Sequence, residues 1–249
     1  MILRRITAHL KDQNWFAVYL DLTIVVVGVF IGIQVSNWNE RLTDNQKYSK
    51  ALERLTTEVE TNLSILDTLD SDMKLSLHNV QKAISALKSC TESKENKKAI
   101  ALGFDEIRGT YGIHLRYNAL KELTSNPRLL SLQSDLERNR FSDMMFYFNL
   151  TLNNAVWVEN HPLEGRFQNN PIIGIGELEI SSYSYYDVDF TSQQRKVFLK
   201  GTIDKACQND QLIKSFFTWE NWQNSLPTYT RRLREELEKT KSLLANRIQ

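Results

Sequence analysis

The feature that most constrains this chain is the stretch Leu22 to Ile33, LTIVVVGVFIGI, twelve residues without a charge. Apolar residues extend it from Phe16 to Leu20 and at Val35, so the twenty residues from Phe16 to Val35 hold a single charge, Asp21. A helix needs roughly 20 such residues to cross the hydrocarbon core of a bilayer. Trp15 and Trp38 flank the stretch. At ~1.5 Å per residue they stand about 34 Å apart, which puts one indole at each interface of a core roughly 30 Å thick.

Asp21 does not overturn this expectation. The nine Leu, Ile, Val and Phe residues between positions 22 and 33 favour insertion by ~3 to 5 kcal/mol, at about 0.3 to 0.6 kcal/mol each. An Asp at the centre of a span costs about 2.5 to 3.5 kcal/mol, and Asp21 lies roughly 8 Å from the midpoint, where the cost is smaller. A buried core helix and a cleaved signal peptide are the alternatives. The second fits poorly, because Gln34, Val35, Asn37 and Trp38 offer no small-x-small cleavage pattern.

The run Asp21 to Glu40, DLTIVVVGVFIGIQVSNWNE, resembles a bacterial family catalogued as domain of unknown function 6090. Its members read an acidic residue, an Ile/Leu/Val run with a Gly, and then Gln-Ile-Asn-Asn-Trp-Asn-Glu. A weaker similarity continues through Tyr117 to Arg140 (YNALKELTSNPRLLSLQSDLERNR). This chain departs from the pattern with Asp21 where Glu is usual and Ser36 where Asn is usual. The resemblance implies a membrane topology and no particular activity.

Beyond the span, no Gly or Pro occurs between Gly32 and Gly103, which permits one helix to leave the membrane and continue. Tyr48, Leu52, Leu55, Val59, Leu63, Leu66, Leu69, Met73, Leu77, Val80, Ile84 and Leu87 advance by threes and fours, the period of an amphipathic or coiled-coil helix. This predicts a rod of about 60 Å, ended by a polar loop at Thr91 to Lys98. A short helix is expected over Tyr117 to Leu123, closed by Asn126-Pro127. A second long helix is expected from Leu129 to Val156, with an irregular step near Phe141.

From Asn160 to Tyr186 the periodicity fails, and Pro162, Gly165, Pro171, Gly174 and Gly176 punctuate the chain. Ile172 to Ile180 reads as a short strand or hairpin within this loop-rich insert. Helical signals resume over Ser192 to Cys207 and Gln211 to Asn224. A last helix begins near Pro227 and carries the pairs Arg231/Glu235, Arg232/Glu236 and Glu235/Lys239. The expected fold is therefore mainly α. A tail (1–14) precedes one transmembrane helix (15–38), which continues into a long amphipathic helix and an extramembrane helical bundle (39–249).

Lysine and arginine near the span do not settle orientation, since Arg4, Arg5 and Lys11 precede it and Arg41, Lys47, Lys50 and Arg54 follow. A short basic N-terminus before an uncleaved apolar helix acts as a signal anchor. The expectation is a single-pass protein of a bacterial cytoplasmic (inner) membrane with a periplasmic C-terminal domain; the inverted topology, with a cytosolic scaffold, is the alternative. Cys90 and Cys207 can then form one disulfide; two unpaired buried thiols are the alternative.

Sequence signals for catalysis are sparse. His9, His78, His114 and His161 are scattered, without HExxH or Cys/His zinc spacing, and neither a phosphate loop nor a GxSxG elbow is present. His161 with Glu159 and Glu164 is the one cluster with acid/base character. With the aromatic run Tyr183, Tyr185, Tyr186 and Phe190, it sustains the alternative of a membrane-tethered enzyme using the 159–190 region. Phe216, Phe217, Trp219 and Trp222 read as core. No cofactor is implied.

Charge excludes a partner held by global attraction: from Leu22 onward 28 basic and 28 acidic residues balance, so no nucleic acid is expected. The interaction signal lies in the span. Gly28, Gly32 and Ser36 recur every four residues on one helix face, where a second backbone can approach closely. Gln34 can hydrogen-bond across such a contact, and Asp21 is an intramembrane carboxylate in need of a partner. The expectation is a non-enzymatic interaction, scaffold or sensor module that self-associates or pairs with another membrane protein.

Overall fold

The computed structural model describes residues 15–110, 112–159, 169–185 and 188–248. The chain is mainly helical. Helix α1 (Trp15–Ser89) runs without interruption for 75 residues, as the absence of Gly and Pro after Gly32 allows. Its residues fall into two compact units that divide between Lys50 and Ala51.

In the second unit, α1 buries a stripe that includes Leu55, Val59, Leu66, Met73, Val80 and Leu87. These are positions of the expected 3.6-residue period. The alanines Ala51, Ala83 and Ala86 share the buried face. Helix α2 (Lys94–Ile107) follows, capped by Ser93, whose Oγ accepts from the Asn96 N–H at 3.0 Å. The loop expected over Thr91 to Lys98 is therefore shorter. Lys94 to Lys98 belong to a helix, because Ser93 supplies the acceptor its first turn needs.

Helices α3 (Asn118–Ser125) and α4 (Pro127–Leu132) meet at Asn126, which accepts from the Arg128 N–H ahead of Pro127 in the first turn. Helix α5 (Asp135–Glu159) is separate from α4. The single helix expected from Leu129 to Val156 is thus divided, and the break lies at Gln133–Ser134 rather than near Phe141. Its cause is a capping box: the Ser134 N–H donates to Glu137 at 2.8 Å and the Glu137 N–H to Ser134 Oγ at 3.3 Å. Phe141 is fully buried within α5.

Strands β1 (Ile173–Tyr185) and β2 (Val188–Leu199) form an antiparallel pair, with Ile173 opposite Leu199 and Tyr183 opposite Phe190, and an irregularity between Ile175 and Leu178. The hairpin is longer than the expected Ile172 to Ile180. The helix expected from Ser192 is also corrected: the chain is extended to Leu199, and only α6 (Ile203–Cys207) is helical. Ser192 to Lys196 is polar and carries no apolar period, so pairing with β1 decides its conformation. Two further helices, α7 (Asp210–Gln223) and α8 (Leu226–Ile248), complete the chain.

Helix α8 packs along α5, α3 also packs on α5, and α2 lies against α7 and β2. One core cluster joins Val80, Ala83 and Leu87 of α1 to Ile100 and Phe104 of α2 and to Phe216 and Trp219 of α7. Ile173, Ile203 and Ala206 close it from the hairpin and α6. Of the four aromatics expected in the core, Phe216 and Trp219 are fully buried. Phe217 is 61% exposed, and Trp222 is half-buried against Trp157. On α8 the ion pairs run i to i+3, Arg232 with Glu235 and Lys239 with Glu236, instead of the expected Arg232/Glu236 and Glu235/Lys239 spacing.

Candidate functional site

The apolar stretch of α1 is helical throughout and uncovered. Its large apolar side chains from Tyr19 to Trp38 are 48% to 68% exposed, on every side of the helix. A helix that is apolar all round belongs in a protein core or in a bilayer, and no part of this apolar window is buried within the chain. Thr23 turns its hydroxyl back to the Tyr19 carbonyl at 2.8 Å, so this hydroxyl is satisfied by its own helix, as a hydrocarbon environment requires. This is one candidate membrane-spanning helix near the N-terminus.

A Cβ added to Gly28 or Gly32 would meet nothing within 4 Å, and Gln34 and Ser36 are exposed. Gly103 of α2 is the opposite case. A Cβ there would lie 2.5 Å from the Ala83 Cβ and 2.7 Å from the Phe216 ring, so this glycine lets α2 close onto α1 and α7. The glycines of the apolar stretch meet no such requirement from the described residues. Trp15 and Asp21 lie within α1, and their side chains are outside the described set. Trp38 is 64% exposed.

In the second unit, Cys90 and Cys207 are joined by a disulfide with Cα atoms 5.6 Å apart. Cys90 follows the last residue of α1 with a φ of 49°, the left-handed conformation that ends many helices. That turn brings its sulfur to the end of α6. Glu92 makes a second link at the same junction: its carboxylate accepts from the Ile203 N–H at 2.9 Å and pairs with Lys97. The hydrogen bond from Lys97 and the Ile203 N–H hold the Glu92 carboxyl below the usual carboxylate range.

Several polar joints pass unannounced in the sequence. Glu58 accepts from the N–H groups of Ala119 and Leu120 at 2.8 and 3.1 Å, which caps α3 from another helix. Glu106 of α2 accepts from Ser76 and Asn79 of α1. Arg234 of α8 bridges Asp67 and Asp70 of α1 at 2.5 and 2.9 Å. Each partner lies tens to more than a hundred residues away, so no local spacing reveals them.

For the enzymatic alternative, His161, Glu164 and Tyr186 lie outside the described residues. Glu159 ends α5, while Tyr183, Tyr185 and Phe190 sit in the hairpin. Their side chains are likewise outside the described set. Among the described residues no group of three or more His, Cys, Asp or Glu is placed to hold a metal ion. A shallow groove at the end of α8 is lined by Ser134, Glu137, Leu243, Leu244, Asn246 and Arg247. Glu137 is already engaged there by Ser134 and Arg247.

No protein-family profile, curated protein or solved structure matches this chain.

Proposed function

We propose that this chain is a single-pass protein of the bacterial cytoplasmic membrane, a member of the family that its Asp21 to Glu40 run resembles, and a non-enzymatic interaction, scaffold or sensor module. The observation that carries this reading is the uncovered apolar helix. Large apolar side chains from Tyr19 to Trp38 are left exposed on every side, a load of apolar surface that water opposes and a bilayer accepts. A signal peptide would have to be cut inside an unbroken helix that goes on to Ser89.

Association of the span is the working part. Gly28, Gly32 and Ser36 lie four residues apart, and nothing in the described chain approaches the two glycines, so a second helix has room to pack there. Without a hydrophobic force between helices in lipid, close backbone approach and dispersion drive such pairing. The disulfide supports a periplasmic second unit, since Cys90–Cys207 bonding persists in an oxidising compartment.

The test is Gly28→Ile combined with Gly32→Ile in the full chain, read by crosslinking in native membranes and by detergent-resistant association. Loss of the associated species supports the reading. Unchanged association means that this face is not the contact. A C-terminal reporter active only in the periplasm supports the orientation, and one active only in the cytoplasm inverts it.

A further inference from the structure

The end of α1, the start of α2 and helix α6 are drawn to one place by the Cys90–Cys207 disulfide and by Glu92, which reaches both Ile203 and Lys97. Lysines gather around this junction. Lys88 precedes Cys90 by two residues and Lys205 precedes Cys207 by two. Lys94, Lys97 and Lys98 begin α2, and Lys200 lies between β2 and α6. All six are exposed, and of them only Lys97 forms an ion pair among the described residues. The segments 88–98 and 200–207 together hold six Lys against three acids, Glu92, Glu95 and Asp204. This local excess stands out in a chain that is otherwise balanced.

We propose that this lysine face docks on an anionic phospholipid surface. Lysine is a compact charge on a flexible stem, suited to a diffuse negative surface, whereas a single phosphate held in register calls for the planar fork of arginine. Neither segment contains an arginine or an aromatic residue, so the rings that stack the bases of single strands are missing from the face. Clusters of four to eight basic residues bind anionic headgroups by adding small increments. The disulfide and Glu92 hold lysines from three elements together, so the charges are assembled before contact.

The test uses the full chain in phosphatidylcholine nanodiscs, mixed with vesicles of phosphatidylcholine alone or with phosphatidylglycerol added, and read by co-sedimentation. Binding is expected only to the anionic vesicles and should weaken as salt rises. Replacing Lys88, Lys94, Lys98, Lys200 and Lys205 by Glu should lower it by about tenfold or more, while replacement by Arg should preserve it. Equal sedimentation with both vesicle types overturns the proposal. So does undiminished binding by the Glu variant, or tighter binding to a DNA duplex than to the anionic vesicles. Should the fivefold variant not fold, Lys94→Glu with Lys98→Glu, two exposed positions one turn apart on α2, gives the same reading with a smaller loss.

Discussion

The side-chain amide of Asn62 and the backbone of Arg116 exchange two hydrogen bonds, Nδ2–H donating to the Arg116 carbonyl at 2.6 Å and Oδ1 accepting from its N–H at 2.9 Å. Asn62 is 1% exposed. It acts as a piece of backbone, pairing with the segment before α3, which belongs to no helix or strand. Asn62→Leu should leave two polar groups without partners and destabilise the chain by about 2 to 4 kcal/mol. Urea denaturation of the full chain in mild detergent measures this, and a loss within error would show that water replaces the amide.

Gly103 and Gly28 should respond oppositely to the same change. An added methyl on Gly103 meets Ala83 and the Phe216 ring at 2.5 and 2.7 Å, so Gly103→Ala should destabilise by about 1 to 3 kcal/mol despite the helix propensity it gains. Gly28→Ala meets nothing within 4 Å and should leave the fold of the second unit unchanged. Paired melting curves decide the comparison.

The Cys90–Cys207 disulfide spans a sequence separation of 117 residues. Closing a loop of this length restricts the unfolded chain strongly, and its removal by Cys90→Ser with Cys207→Ser should cost about 2 to 4 kcal/mol. Alkylation with and without reductant, followed by intact mass measurement, reports the bond directly. Two freely alkylated thiols in protein taken from native membranes without reductant would contradict it.

Stability should also carry an acid limb from Glu236. Burial pushes this carboxyl up, but Lys239 and Arg140, each at 2.6 Å, together hold it below the usual carboxylate range. With the folded value below the unfolded one, its contribution is complete above the ordinary glutamate range and is lost as pH falls through the lowered folded value. Glu236→Gln should cost about 1 to 3 kcal/mol at neutral pH, and the gap from the parent chain should close in acid. A gap that stays constant down to the acid limit would remove Glu236 from this role.

Much of the helical architecture is legible residue by residue. The period of Leu55, Val59, Leu66, Met73 and Leu87 marks the buried stripe of α1 because a face repeated every 3.6 residues must meet a core. The capping box Ser134/Glu137 is also local, and it explains the break between α4 and α5. The conformation of Ser192 to Lys196 is not local. A polar run without a period takes its form from the strand it pairs with: Ile172 to Ile180 announces part of β1, but nothing local to Ser192–Lys196 announces that it pairs there.

An apolar helix of about twenty residues is legible in the sequence alone, since that length holds one charge, whereas its being left uncovered by the described residues emerges only from the structure. The sequence also determined the long amphipathic continuation, through periodicity and the absence of helix breakers. Tertiary structure alone decided which distant groups meet: Asn62 with Arg116, Glu58 with the start of α3, Cys90 with Cys207, and the lysines of three elements around one junction. The physical reason is range. Hydrophobic period and capping act within a few turns, whereas hydrogen bonds and charges across the bundle exist only once chain entropy has been overcome and the helices are packed.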